Sequence, residues 1–167
     1  MDAQELKELQ APLKQKYKDQ PQSAMVTLNA RAKIGEGITC NIETGKALIE
    51  AGLHPATGGD GLSACSGNML LEALVACAGV TLRAVSTAIG VQLKDATVSA
   101  EGDLDFRGTL AVDKTTPVGL QNIRLKFDLD SDATPEQLSS LIKLTERYCV
   151  IYQTLVNAPV ISTSYTS

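Results

Sequence analysis

Asn68-Met-Leu-Leu-Glu-Ala-Leu-Val-Ala-Cys-Ala-Gly-Val-Thr-Leu-Arg-Ala84 is the stretch on which the fold of this chain turns. It has no proline and is dominated by strong helix formers, so it predicts a helix running on to Ile89, before Gly90. Only Glu72, Thr81 and Arg83 interrupt its apolar faces. A helix that is apolar all round has to be covered on several sides. It is also too short and too interrupted to cross a bilayer. Cys77 shares a face with Leu70, Ala73, Leu74 and Thr81 at three- and four-residue spacings. A cysteine so placed is either a small core residue or a reactive thiol in a controlled pocket.

The chain has 167 residues, enough for one domain with a real core. Its hydrophobic fraction of 44% and charged fraction of 20% describe an ordinary globular protein. A net charge of −4 without any basic run argues against a nucleic-acid partner. With no secretory, lipidation or membrane-spanning signal, the expected location is cytoplasmic, away from a membrane. Cys40, Cys65, Cys77 and Cys149 lie far apart and form no Cys-x-x-Cys pair. His54 is the single histidine, so neither a zinc site nor any cofactor is expected.

Residues 2–18 suggest a surface helix with Leu6, Leu9, Leu13 and Tyr17 in one stripe, kinked or split at Pro12. From Met25 the period changes to two: Val26, Leu28, Ala30, Ala32 and Ile34 point one way and Arg31 and Lys33 the other. Gly35-Glu36-Gly37 turns into a second strand carrying Ile38, Cys40 and Ile42, and residues 47–51 suggest a short third. Cys40 reads as structural. A long loop from His54 to Gly67 leads into the central helix; its glycines lack the spacing of a dinucleotide fingerprint. Ala96 to Phe106 and Ile123 to Leu129 alternate as two more strands. Thr134-Pro-Glu-Gln opens a helix with a capping box, and Leu138, Leu141, Ile142, Thr145 and Cys149 form its inner face. Val160 to Tyr165 reads as a closing strand.

Two segments carry a family resemblance. Leu70-Leu-Glu-Ala-Leu-Val-Ala-Cys77-Ala-Gly-Val-Thr-Leu resembles the cysteine-bearing central helix of the OsmC/Ohr family, the osmotically induced and organic-hydroperoxide-resistance proteins. Leu144-Thr-Glu-Arg-Tyr-Cys149-Val-Ile-Tyr-Gln-Thr-Leu155 is similar to that family's second cysteine segment, and Gly58-Gly-Asp-Gly before the helix agrees. The resemblance implies residues 1–22 as an N-terminal helical extension and 23–167 as an OsmC-like domain. Its fold would be α+β, antiparallel sheets wrapped around a buried central helix, in an intertwined homodimer. It implies thiol-dependent reduction of organic hydroperoxides, with Cys77 as the peroxidatic thiol, Cys149 as the resolving thiol and a dithiol such as dihydrolipoamide as reductant.

The sequence departs from the family pattern in two places. Near the start of the central helix, where active members carry a glutamate paired with an arginine, this chain has Asn68. Glu72, five residues before Cys77, is about 140° around the helix at 100° per residue. The second cysteine, commonly followed by proline, is followed here by Val150. A thiol in an apolar pocket needs a cationic or hydrogen-bonding partner to offset desolvation. Chain order makes Arg31 the stronger candidate, because a guanidinium stays charged when buried, and His54 the weaker. Cys65 is an alternative resolving thiol. The competing reading of the whole is a non-enzymatic protein whose cysteines merely line a small-molecule pocket.

Overall fold

The computed structural model describes residues 3–34, 40–42, 52–62 and 64–166. These form helix α1 (Ala3–Asp19), strands β1 (Met25–Ile34) and β2 (Cys40–Ile42), helix α2 (Ser66–Ala88), strand β3 (Asp95–Asp105), one helical turn α3 (Phe106–Thr109), strand β4 (Gln121–Asp130), and helices α4 (Pro135–Tyr148) and α5 (Val150–Val156). The strands make one antiparallel sheet in the order β2-β1-β3-β4. The expected turn at 35–37, the short strand at 47–51 and the side chain of Cys40 lie outside the described residues.

Alternation sorts the sheet into two faces. Ala96, Val98, Ala100 and Gly102 are buried, and the register sets Val98 opposite Phe127 and Ala100 opposite Leu125. Helices α2, α4 and α5 lie on this apolar face. The other face is polar: Asp103 accepts from Thr27 at 3.0 Å and from Arg124 at 2.9 Å, and Lys33 pairs with Asp95 at 3.1 Å. Exposed pairs of this kind add little stability. The expected alternation breaks at the end of β3, where Asp105 is buried rather than outward-facing. The strand stops there because the Asp105 carboxylate caps α3, accepting the Arg107 N–H at 3.0 Å and pairing with its guanidinium.

Helix α2 is 23 residues long, and by length and composition it is apolar enough to cross a membrane, contrary to the expectation from the sequence. What makes it a core helix is its packing. Leu71, Leu74, Val75, Ala78 and Leu82 are buried in one cluster with Val98, Ala100 and Leu141. Each large aliphatic side chain buried this way contributes about 1.5–3 kcal/mol. The described residues cover only one side of α2, however. Leu70, Ala73 and Val80 remain exposed, and together with Cys77 they follow a three–four–three spacing along one stripe.

The capping box of α4 forms as expected, with both arms between Thr134 and Gln137 made. Two expectations fail. Helix α1 is continuous through Pro12, because that residue is on the exposed side and the hydrogen bond it cannot make faces water. Residues 158–166 form no strand, and Val160, Ile161 and Tyr165 are 96%, 85% and 92% exposed. None of the described strands pairs with this segment, and a strand without a neighbour has no ladder to hold it.

Helix α1 clamps the loop that precedes α2. Tyr17, 2% exposed, packs with Ala24, Phe106 and Leu110 in a second core cluster. Its hydroxyl donates to the Ala56 carbonyl at 2.6 Å, and the Gln10 amide donates to the Thr57 carbonyl at 3.2 Å. Gly58, at φ +96°, lies under Leu9, whose Cγ would be 2.9 Å from an added Cβ. Replacing Tyr17 by Phe keeps the packing and strands the Ala56 carbonyl. We expect Tyr17→Phe to lower stability by about 1 kcal/mol, read from the midpoint of urea unfolding at unchanged slope.

Candidate functional site

Cys77 and Cys149 meet at the junction of three helices. Cys77 is half-buried in the middle of α2, within the stripe of Leu70, Ala73 and Val80. Cys149 is fully buried in the break between α4 and α5, where its extended backbone (φ −72°, ψ 109°) ends one helix and starts the next. Its sulfur accepts the backbone N–H of Tyr152 at 3.5 Å, so the thiol itself caps α5. Both thiols are free, and each shifts the titration of the other, as near neighbours do.

The two sulfurs titrate in opposite directions. At Cys77, burial raises the pKa. The Ile151 backbone N–H, the Cys149 thiol, the Val150 backbone N–H and the Thr81 hydroxyl together outweigh it, so the thiol lies below its ordinary value. At Cys149, burial dominates and, with the neighbouring Cys77 adding to it, pushes the thiol up to about 11. Near neutral pH, Cys149 therefore keeps its proton. Among the described residues the anion at Cys77 is held by hydrogen bonds rather than by a cation.

The other residues singled out from the sequence lie elsewhere in the chain. Arg31 is exposed on β1 and paired in register with Ser99, on the sheet face turned away from α2. His54 starts a short 3-10 turn at Pro55–Thr57; its Nδ1 accepts the Ala56 N–H at 3.0 Å and its ring stacks on Phe106 at 4.9 Å. Burial lowers its pKa, which keeps it neutral at pH 7. Cys65 precedes Cys77 by twelve residues, about 18 Å along the helix axis, and caps the start of α2. A disulfide needs Cα atoms within about 7 Å, so the geometry sets Cys149 and not Cys65 beside Cys77. The groups that the sequence reading missed are Thr81 as a donor and the N–H groups of Val150 and Ile151.

A comparison with protein families supplies the context for this pair: the model described as OsmC-like protein matches residues 59–164. The chain belongs to the OsmC family. Its fold is similar to that of an OsmC-like hydroperoxide resistance protein from Jannaschia sp. CCS1, at 20% identity and a TM-score of 0.59 over 86% of this chain and 95% of that one. It is also similar to an OsmC-like protein from Mycoplasma pneumoniae, at 15% identity and a TM-score of 0.56 over 80% and 86%. A search of curated proteins returns no match.

Against the OsmC pattern, both departures noted in the sequence acquire a physical meaning. Asn68 is nine residues before Cys77, about 180° around the helix, and its Oδ1 is buried without a hydrogen-bond partner among the described residues. It cannot take over the polarising task of a glutamate. Val150, in contrast, brings an N–H that proline would lack, and that N–H donates to Cys77. The two changes act on the same sulfur: this chain has no ionised group at the first position and gains a dipole at the second.

Proline at the first position of a helix is otherwise well tolerated, so Val150→Pro removes the donor without opposing α5. We expect the wild-type pH midpoint for iodoacetamide labelling of Cys77 to lie below 8.5, the value of an unperturbed thiol. Val150→Pro should move that midpoint upward and slow labelling at pH 7 several-fold. Arg31→Met and His54→Ala should leave it in place, and Cys149 should resist labelling until the pH approaches 11. An upward shift in Arg31→Met equal to that in Val150→Pro would restore the guanidinium as activator.

Proposed function

We propose that this OsmC-family protein reduces organic hydroperoxides through Cys77 and Cys149, in defence against peroxide stress. The observation that supports this reading is a thiol lowered in pKa beside a neighbouring thiol held protonated by burial. The Cys77 thiolate attacks the terminal peroxide oxygen; the O–O bond breaks, and the alkoxide takes up a proton and leaves as the alcohol. Cys77 is then a sulfenic acid. Cys149 attacks that sulfur, its proton leaves with the hydroxyl as water, and a Cys77–Cys149 disulfide remains. An external dithiol of the dihydrolipoamide type returns both thiols, becoming a disulfide itself. One solved relative, the OsmC-like hydroperoxide resistance protein from Jannaschia sp. CCS1, agrees with such a role.

The working unit in this proposal is a homodimer. The stripe of Leu70, Ala73 and Val80 is exposed beside Cys77, and Val150 and Val156 of α5 are 68% and 57% exposed. The irregular 158–166 segment adds Val160, Ile161 and Tyr165. A second copy covering these groups would surround the Cys77 sulfur with apolar walls, which favour an alkyl peroxide over hydrogen peroxide.

Cys77→Ser should abolish consumption of cumene hydroperoxide, whereas Cys149→Ser should still lose one thiol per chain and advance to sulfinic acid on excess peroxide, by mass spectrometry. Peroxide that consumes no thiol in the wild type would replace the enzyme with a protein that only binds. Sedimentation should give a dimer at micromolar concentration; a stable folded monomer would remove the second copy from the site.

A further inference from the structure

A cavity of ≈ 370 Å³ opens at the N-terminal end of α2. One wall is the loop holding His54 and Thr57, another is the first turns of α2 with Cys65 and Leu70, and the third is the end of β3 with Phe106 and the approach to β4 with Leu120. Cys77 does not line it. We infer that this cavity is a second small-molecule site, for an uncharged ligand with an apolar body and one hydrogen-bond-accepting group such as a ketone.

Volume, polarity and rigidity support the assignment. Small-molecule pockets run from about 300 to 1,000 Å³, mostly apolar, with a few fixed polar groups. Leucine, phenylalanine and valine side chains dominate this lining, and among the described residues it includes no Lys, Arg, Asp or Glu. A charged ligand would lose its hydration there without a counter-charge to replace it. His54 supplies direction. Because its Nδ1 accepts from Ala56, the neutral ring carries its hydrogen on Nε2, which is its one remaining donor. The ring cannot easily turn, since Phe106 is stacked on its face at 4.9 Å. The loop under it is held by Tyr17 and Gln10 of α1, so the wall is formed before any ligand arrives. Preorganisation of this kind reduces the ordering cost of binding. The inference stands independently of peroxide reduction, because Cys65 and Cys77 are about 18 Å apart along α2.

The neutral fluorescent ketone 6-propionyl-2-dimethylaminonaphthalene is a suitable probe, since the chain has no tryptophan to interfere. With the full-length protein in solution, its emission should shift to the blue and saturate at one probe per chain. Bound probe should slow iodoacetamide labelling of Cys65, resolved by peptide mass spectrometry, and leave Cys77 labelling unchanged. Val118→Trp, at a lining position that is 60% exposed and so tolerant of size, should fill the opening and weaken binding at least ten-fold. His54→Phe keeps the stacking and should weaken the ketone several-fold while leaving naphthalene, which has no acceptor, unaffected. Absence of saturable binding, protection of Cys77 instead of Cys65, or a Cys65 that labels only after unfolding would each overturn the inference. The last result would mean that a second copy of the chain fills the cavity.

Discussion

The packing of one edge of α2 against the sheet is the constraint from which the thiol site follows. Leu71, Leu74, Val75, Ala78 and Leu82 can be buried together only at one rotation of the helix about its axis. That rotation leaves Leu70, Ala73 and Val80 outside with Cys77 half-buried among them. A half-buried sulfur is reachable from solvent yet already partly desolvated. Desolvation by itself would silence it by disfavouring the thiolate. The break between α4 and α5 supplies the remedy: it aims the N–H groups of Val150 and Ile151, and the Cys149 thiol, at the same sulfur.

That break is itself a consequence of Cys149 having extended rather than helical backbone angles. The residue caps α5 with its own sulfur, is fully buried, and is held protonated by that burial. Two chemically identical neighbouring side chains thus shift in opposite directions through their surroundings alone. Hydrogen-bond donors lower one thiol; burial raises the other. Pairs of groups whose environments push their pKa values apart are a general means of dividing nucleophile from proton donor.

The N-terminal helix works on a different part of the molecule. It lies outside the matched family segment, which begins at Gly59, yet it is fastened by Tyr17 and Gln10 to the loop that leads into α2. His54 belongs to this assembly. Its nitrogen caps a 3-10 turn and its face is taken by Phe106, so its imidazole is a structural and recognition element at the Cys65 end of the helix.

Local pattern carries much of this protein without any tertiary knowledge. The apolar run from Asn68 predicts α2, Thr134 and Gln137 predict their capping box, and strict alternation predicts β3 and β4, because each signal is a relation between residues a few positions apart. Cys77 and Cys149 could be named only through their resemblance to a family, since no spacing rule joins residues so distant in the chain. Tertiary structure alone decided what activates the thiol. A side-chain inventory points to Arg31 and His54, whereas the donors are largely backbone N–H groups, which every residue except proline possesses and no sequence pattern marks. The same limit applies to Val160–Tyr165. Its alternation is legible, but a strand exists only where another strand accepts its hydrogen bonds, and none of the described strands of this chain does.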